Sequence, residues 1–146
     1  MKGLLGILAA YVAAVAATTV IGTLLQTQLN LAQLAGLGMD VDATLRGKVT
    51  LRDLAGFAPT FGVLVAAAFL VAFPVTALIR RRVHEGRSAL YALAGAVAIT
   101  AMLVIMHAAL GLTAIAAARG AGGFVGLVLT GAIGGWVFAA VCLPRD

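Results

Sequence analysis

A chain of 146 residues that is 63% hydrophobic and 10% charged, with a mean hydropathy of +1.13, lies far from the soluble-domain mix of about 45–50% apolar and 25% charged. One domain's length committed to apolar runs excludes a separate soluble catalytic domain. The net charge of +5 gathers mostly at one membrane border, where retention of Lys and Arg on the cytoplasmic side and anionic headgroups account for it, so nucleic acid is not expected as a partner.

Four uncharged stretches, residues 3–25, 54–79, 88–118 and 120–143, follow one another, and each exceeds the ~20 residues that cross a ~30 Å hydrocarbon core. None alternates polar with apolar as a barrel strand does, so the backbone must satisfy itself as helix. The expected fold is an all-α membrane protein, a four-transmembrane-helix bundle forming a single integral domain over 1–146, with spans of about 3–25, 57–79, 88–110 and 121–143.

The first run opens after Met1-Lys2 and contains Ala14-Val15-Ala16, a cleavage-like triplet, but continues to Leu25, beyond the 7–15 residues of a signal core. It is therefore expected to stay as a span. Along it Gly6, Ala10, Ala14, Thr18 and Gly22 recur every four positions, a ridge that lets helix backbones approach closely in lipid.

Between the first two spans, Gln26, Asn30 and Gln33 keep helical spacing, so the first helix is expected to project past the membrane until Gly36 and Gly38 end it. Asp40 to Lys48 is expected as loop. Thr50 with Asp53 resembles a capping box, which would start a short interfacial helix before Pro59 and make the segment a periplasmic lid. In the second span Pro74 predicts a kink near Leu70, and Phe57, Phe61, Phe69 and Phe73 share one face as lipid-facing or interhelical bulk.

Arg80, Arg81, Arg82 and Arg87 crowd the short connection to the third span. With both termini inside, Lys2, these four and Arg145 face the cytoplasm, against Arg46, Lys48, Arg52 and Arg119 outside. That balance predicts a bacterial-type inner-membrane protein with both termini cytoplasmic, its arginines set against anionic lipid headgroups.

Ser88 reads as the N-cap of the third span, which offers Ala92, Ala96 and Thr100 as small residues. His107 falls about 28 Å along from Ser88, near the outer interface, and Arg119 is expected to reach headgroups by snorkelling. In the fourth span Gly122, Gly126, Thr130 and Gly134 form a second ridge, with Gly131 and Gly135 as a GxxxG beside it.

The four spans contain no Asp, Glu, Lys or Arg, and the chain holds only His84, His107 and Cys142 as nitrogen or sulfur ligands, too few for a metal or haem site. Ser88 is the only serine and no Gly-x-Ser-x-Gly is present. No cofactor and no catalysis are expected. The residue inventory points to a non-catalytic accessory, assembly or structural subunit that packs against a membrane-protein partner or its own copies. The alternative is a small oligomeric channel or carrier for a neutral or weakly polar solute, lined by Thr18, Thr60, Thr76, Thr100 and Thr130.

Overall fold

The computed structural model describes residues 3–82, 86–111 and 115–142. In chain order they form α1 (Leu4–Gly36), α2 (Ala43–Ile79), α3 (Arg87–Leu110) and α4 (Ala121–Cys142), with a short 3-10 turn, Ala116–Arg119, leading into α4. All four helices are long and apolar enough to cross a membrane, and together they point to a multi-pass membrane protein.

The helices run antiparallel to their neighbours, α1 on α2, α2 on α3 and α3 on α4, and α4 closes the ring against α1. Small residues make two of these seams. On α1, Ala10, Ala14, Thr18 and Gly22 are buried and Gly6 is half-buried. A Cβ on Gly134 would run into the Thr18 hydroxyl, and one on Gly126 would come 2.6 Å from a Leu25 methyl. The Thr18 hydroxyl also donates to the Thr130 carbonyl at 3.3 Å. Gly122 stands apart from this seam, with open space where its Cβ would be.

Gly131 and Gly135 face α3, where Gly95 and Tyr91 offer bare backbone: a Cβ on Gly135 would overlap the Tyr91 carbonyl, and one on Gly131 the Gly95 carbonyl. The face α3 presents is thus Tyr91, Gly95 and Ile99, all buried, one position off the Ser88–Ala92–Ala96–Thr100 row. Close backbone approach supplies van der Waals contact where lipid removes the hydrophobic drive between helices. α2 packs differently. Its Phe61, Val65, Phe69 and Phe73 are at most 4% exposed, and Phe57 stacks on Phe61 with ring centroids 5.3 Å apart, so the phenylalanine face is interhelical. Outward positions such as Val63, Val71, Val97, Ile105, Leu129 and Trp136 are exposed, the surface that lipid would solvate.

The connection between α1 and α2 is shorter than expected. Asp40–Lys48 is not a loop, because the Asp42 carboxylate accepts from the Leu45 amide at 2.7 Å and starts α2 there. Asp42 satisfies one of the orphan first-turn donors, and the helix then runs on through Arg46, Gly47 and Lys48. Thr50 is no cap either: its hydroxyl bonds back to the Arg46 carbonyl at 2.7 Å from within the helix. No separate short helix precedes Pro59, which lies well inside α2, as does Pro74; the helix is continuous through both. Gly38, at φ +86, makes the turn that ends α1.

Ser88 also loses its expected place. α3 begins one residue before it, after Gly86 at φ +70, and no side chain caps it.

α1 and α2 have 33 and 37 residues, against 24 and 22 for α3 and α4. At 1.5 Å per residue they outrun their partners by roughly 15–20 Å. The projecting hairpin is braced by polar contacts: Arg46 donates to the Gln28 side-chain Oε1 at 3.0 Å, and the Thr27 hydroxyl meets the Asp53 carboxylate at 2.7 Å.

Candidate functional site

At the opposite end of the bundle from this hairpin, where α1 and α3 begin and α2 and α4 finish, the helices part around a cavity of about 630 Å³. That size is within the ~300–1,000 Å³ of small-molecule sites. Its floor is aromatic. Phe73 sits at the centre, 4.6 Å from Phe69, 4.5 Å from Phe138 and 5.8 Å from Tyr91 by ring centroid, and Tyr91 also meets Phe138 at 5.0 Å. Such offset and edge arrangements hold rings in fixed relation.

The opening above the floor follows from α2's sequence. Past Phe73 the cavity-lining residues of α2 are the small Pro74 and Ala77, and Pro74 has no N–H to give the Leu70 carbonyl. Leu70, Pro74 and Ala77 all line the cavity. On α1, Ile7, Leu8 and Tyr11 complete the wall. The Tyr11 hydroxyl donates to the Ala66 carbonyl at 2.5 Å, which fixes α1 to α2 just past the floor.

Arg80, Arg81 and Arg87 form the rim. The four-arginine cluster read from the sequence therefore divides: three line the cavity, while Arg82 is exposed and outside it. Cys142 is a free, half-buried thiol at the same edge. Two helix N-termini and two C-termini meet here, and their partial charges, about half a unit each, offset one another. In sequence the connection between α2 and α3 carries Arg80, Arg81, Arg82 and Arg87 against a single acid, Glu85, so its net charge is positive. The described acids, Asp40, Asp42 and Asp53, all belong to the hairpin end.

Comparison with family models, with curated proteins and with solved structures finds no match for this chain.

A second polar region runs along α1 toward the hairpin. Thr18, Thr19, Thr23, Gln26 and Thr27 are all buried. The Thr19 and Thr23 hydroxyls and the Gln26 carbonyl oxygen have no hydrogen-bond partner there, and Thr27 splits its contacts between the Thr23 carbonyl at 2.9 Å and Asp53. Sites of this kind are hydrated in folded proteins.

The five threonines considered as a conduit lining do not converge. Thr18 and Thr130 meet each other, Thr60 is exposed, and the hydroxyls of Thr76 and Thr100 fold back onto the carbonyls of Ala72 and Ala96 at 2.8 and 2.9 Å. His107 is exposed in the last turn of α3 and Arg119 is exposed in the 3-10 turn, while His84 lies outside the described residues. Among the described residues no three His, Cys, Asp or Glu side chains gather as a metal site would require.

Sequence reasoning missed the cavity itself, with Tyr11, Tyr91 and Phe138 in its lining, and the pairing of Asp53 with Thr27. A signal for the polar seam was present: Thr19, Thr23, Gln26 and Thr27 follow i, i+4, i+7, i+8 on an otherwise apolar helix. Nothing comparable marks the cavity, because its lining is drawn from all four helices.

Proposed function

We propose that this chain is a non-catalytic integral membrane protein, an accessory or assembly subunit that works by holding a lipid-like guest between its helices. The observation that carries this reading is the aromatic-floored cavity, a place in the bundle where packing is left open. Apart from Gly122, the α4 glycines from Gly126 to Gly135 are engaged within the chain, against α1 and α3, so they offer little to an outside helix. The lining is hydrocarbon and ring up to a charged rim, which suits binding and orientation and supplies no paired acid and base for turnover. In the same reading both termini and the arginine rim face the cytoplasm of a bacterial-type inner membrane, supported by the distribution of basic residues.

The test is retention. Purified in mild detergent and weighed intact by native mass spectrometry, the protein should carry one tightly held lipid-like molecule after bulk lipid is removed. Ala77→Trp and Leu70→Trp, which fill the cavity, should abolish that adduct while helical circular dichroism is unchanged. An adduct retained equally by both filled variants would place the guest elsewhere and refute the reading.

A further inference from the structure

We infer that the cavity is a site for one anionic membrane lipid, its chain on the aromatic floor and its acidic headgroup held by Arg80, Arg81 and Arg87. This rests on the guest-binding reading above and adds the chemical class of the guest.

Depth, lining and charge each bear on it. From Phe69 to its C-cap Arg80 the cavity follows α2 for eleven residue steps, about 16 Å at 1.5 Å per residue. That is close to half of a ~30 Å hydrocarbon core, the depth of one leaflet. A lipid of that leaflet thus reaches from rim to floor without changing its level in the membrane. Below the rim the wall is Ile7, Leu8, Leu70 and Pro74 with the rings of Phe69 and Phe73, side chains that solvate hydrocarbon and carry no hydrogen-bonding group for the edges of a sugar or a base. A soluble phosphorylated metabolite would leave this wall empty.

At the rim, Arg80, Arg81 and Arg87 line one mouth. Guanidinium binds phosphate and carboxylate oxygens in paired, charge-assisted hydrogen bonds, and a zwitterionic headgroup would bring its own cation into the same field. Arg80 and Arg87 are half-buried, so their contribution is screened less than that of a fully solvated charge. Arg82, exposed and outside the mouth, provides the built-in contrast: it carries the same charge one residue away and should matter little to a headgroup in the cavity.

The experiment offers the full-length protein an equal mixture of phosphatidic acid and phosphatidylcholine with identical chains in nanodiscs, and reads which lipid is retained by native mass spectrometry. The wild type should retain phosphatidic acid preferentially. Each rim arginine is expected to supply roughly five-fold in that preference, the equivalent of about 1 kcal/mol, so Arg80→Gln/Arg81→Gln should lower it by roughly 25-fold while Arg82→Gln changes it less than about two-fold. Added inorganic phosphate should leave the adduct in place.

Equal loss of preference in Arg82→Gln would show a diffuse surface field and overturn the inference. Displacement by inorganic phosphate would reduce the rim to a simple anion site and overturn it also. A lipid retained without headgroup preference, unaffected by Arg80→Gln/Arg81→Gln but lost in Ala77→Trp, would refute the anionic class alone. No retained lipid in any form would refute guest binding itself.

Discussion

Replacing Gly135 by alanine tests the α3/α4 seam directly. The added methyl overlaps the Tyr91 carbonyl and comes 3.0 Å from the Ala92 Cα, and because both obstacles are backbone, no rotamer change relieves them. The helices must separate by about an ångström. A gap of ~0.5–1 Å forfeits a quarter to a half of each dispersion well of ~0.1–0.2 kcal/mol; over a few tens of atom pairs this comes to about 2 kcal/mol, within the ~1–3 kcal/mol typical of overpacking. Two alanines on the same helix calibrate the result. At Gly126 the methyl meets the end of the Leu25 side chain at 2.6 Å, which can rotate away, so the loss should stay below ~1 kcal/mol. At Gly122 nothing lies within 4 Å, and alanine should be neutral or stabilising by up to ~1 kcal/mol through helix propensity. Unfolding in mixed micelles at increasing dodecyl sulfate fraction, followed by circular dichroism, gives all three. Gly122→Ala as damaging as Gly135→Ala, or a neutral Gly135→Ala, would refute the reasoning.

Thr27→Val removes the hydroxyl that meets Asp53 and leaves a half-buried carboxylate without that donor; a loss of about 1–3 kcal/mol is expected, and Asp53→Asn in the same background should recover part of it in the same unfolding assay. Asp42→Ala removes the α2 cap at a cost of ~1 kcal/mol, seen as faster amide exchange over residues 43–46 with the remainder of α2 unchanged; uniform exchange would contradict the assigned start. Tyr11→Phe deletes the bond to the Ala66 carbonyl and should cost ~0.5–1 kcal/mol while loosening guest retention, with no change at the hairpin end. For orientation, in a Cys142→Ala background a cysteine at Gly120 should react with membrane-impermeant maleimide from outside intact cells, and one at Arg82 only after permeabilisation; the reverse pattern inverts the topology.

The four helices were legible in the sequence because apolar runs of spanning length admit no other backbone in lipid. Hydropathy records only the part of a helix that lipid would solvate, so it could not see that α2 begins at Ala43: Arg46, Lys48, Arg52 and Asp53 break the apolar pattern yet are all compatible with helix. The capping box read at Thr50 is not the helix start: Asp42 begins α2 because its carboxylate reaches the Leu45 amide, whereas Thr50 lies two turns inside. Small-residue spacing names candidates for close approach but not what each would meet. Gly131 and Gly135 could be read as a packing motif, while their seat on Tyr91 and Gly95 depends on helix rotation, which composition so rich in alanine and glycine leaves open. The cavity was illegible for a further reason. Phe69, Tyr91 and Phe138 are far apart in the chain, and a void is defined by what the surrounding residues fail to fill.

The unequal seams decide which wall of the molecule gives way. Where two helices touch main chain to main chain, as along Gly95, Gly131 and Gly135, there is one way to sit and no slack, and α1 is keyed to the same block through Gly134. The second helix instead leans on a column of phenyl rings, so its contact is made through side chains and not main chain. Below Pro74 it also lacks one rung of its own ladder. Any widening of the cavity mouth would therefore fall first to the stretch of α2 past Pro74, the segment that leads into Arg80 and Arg81.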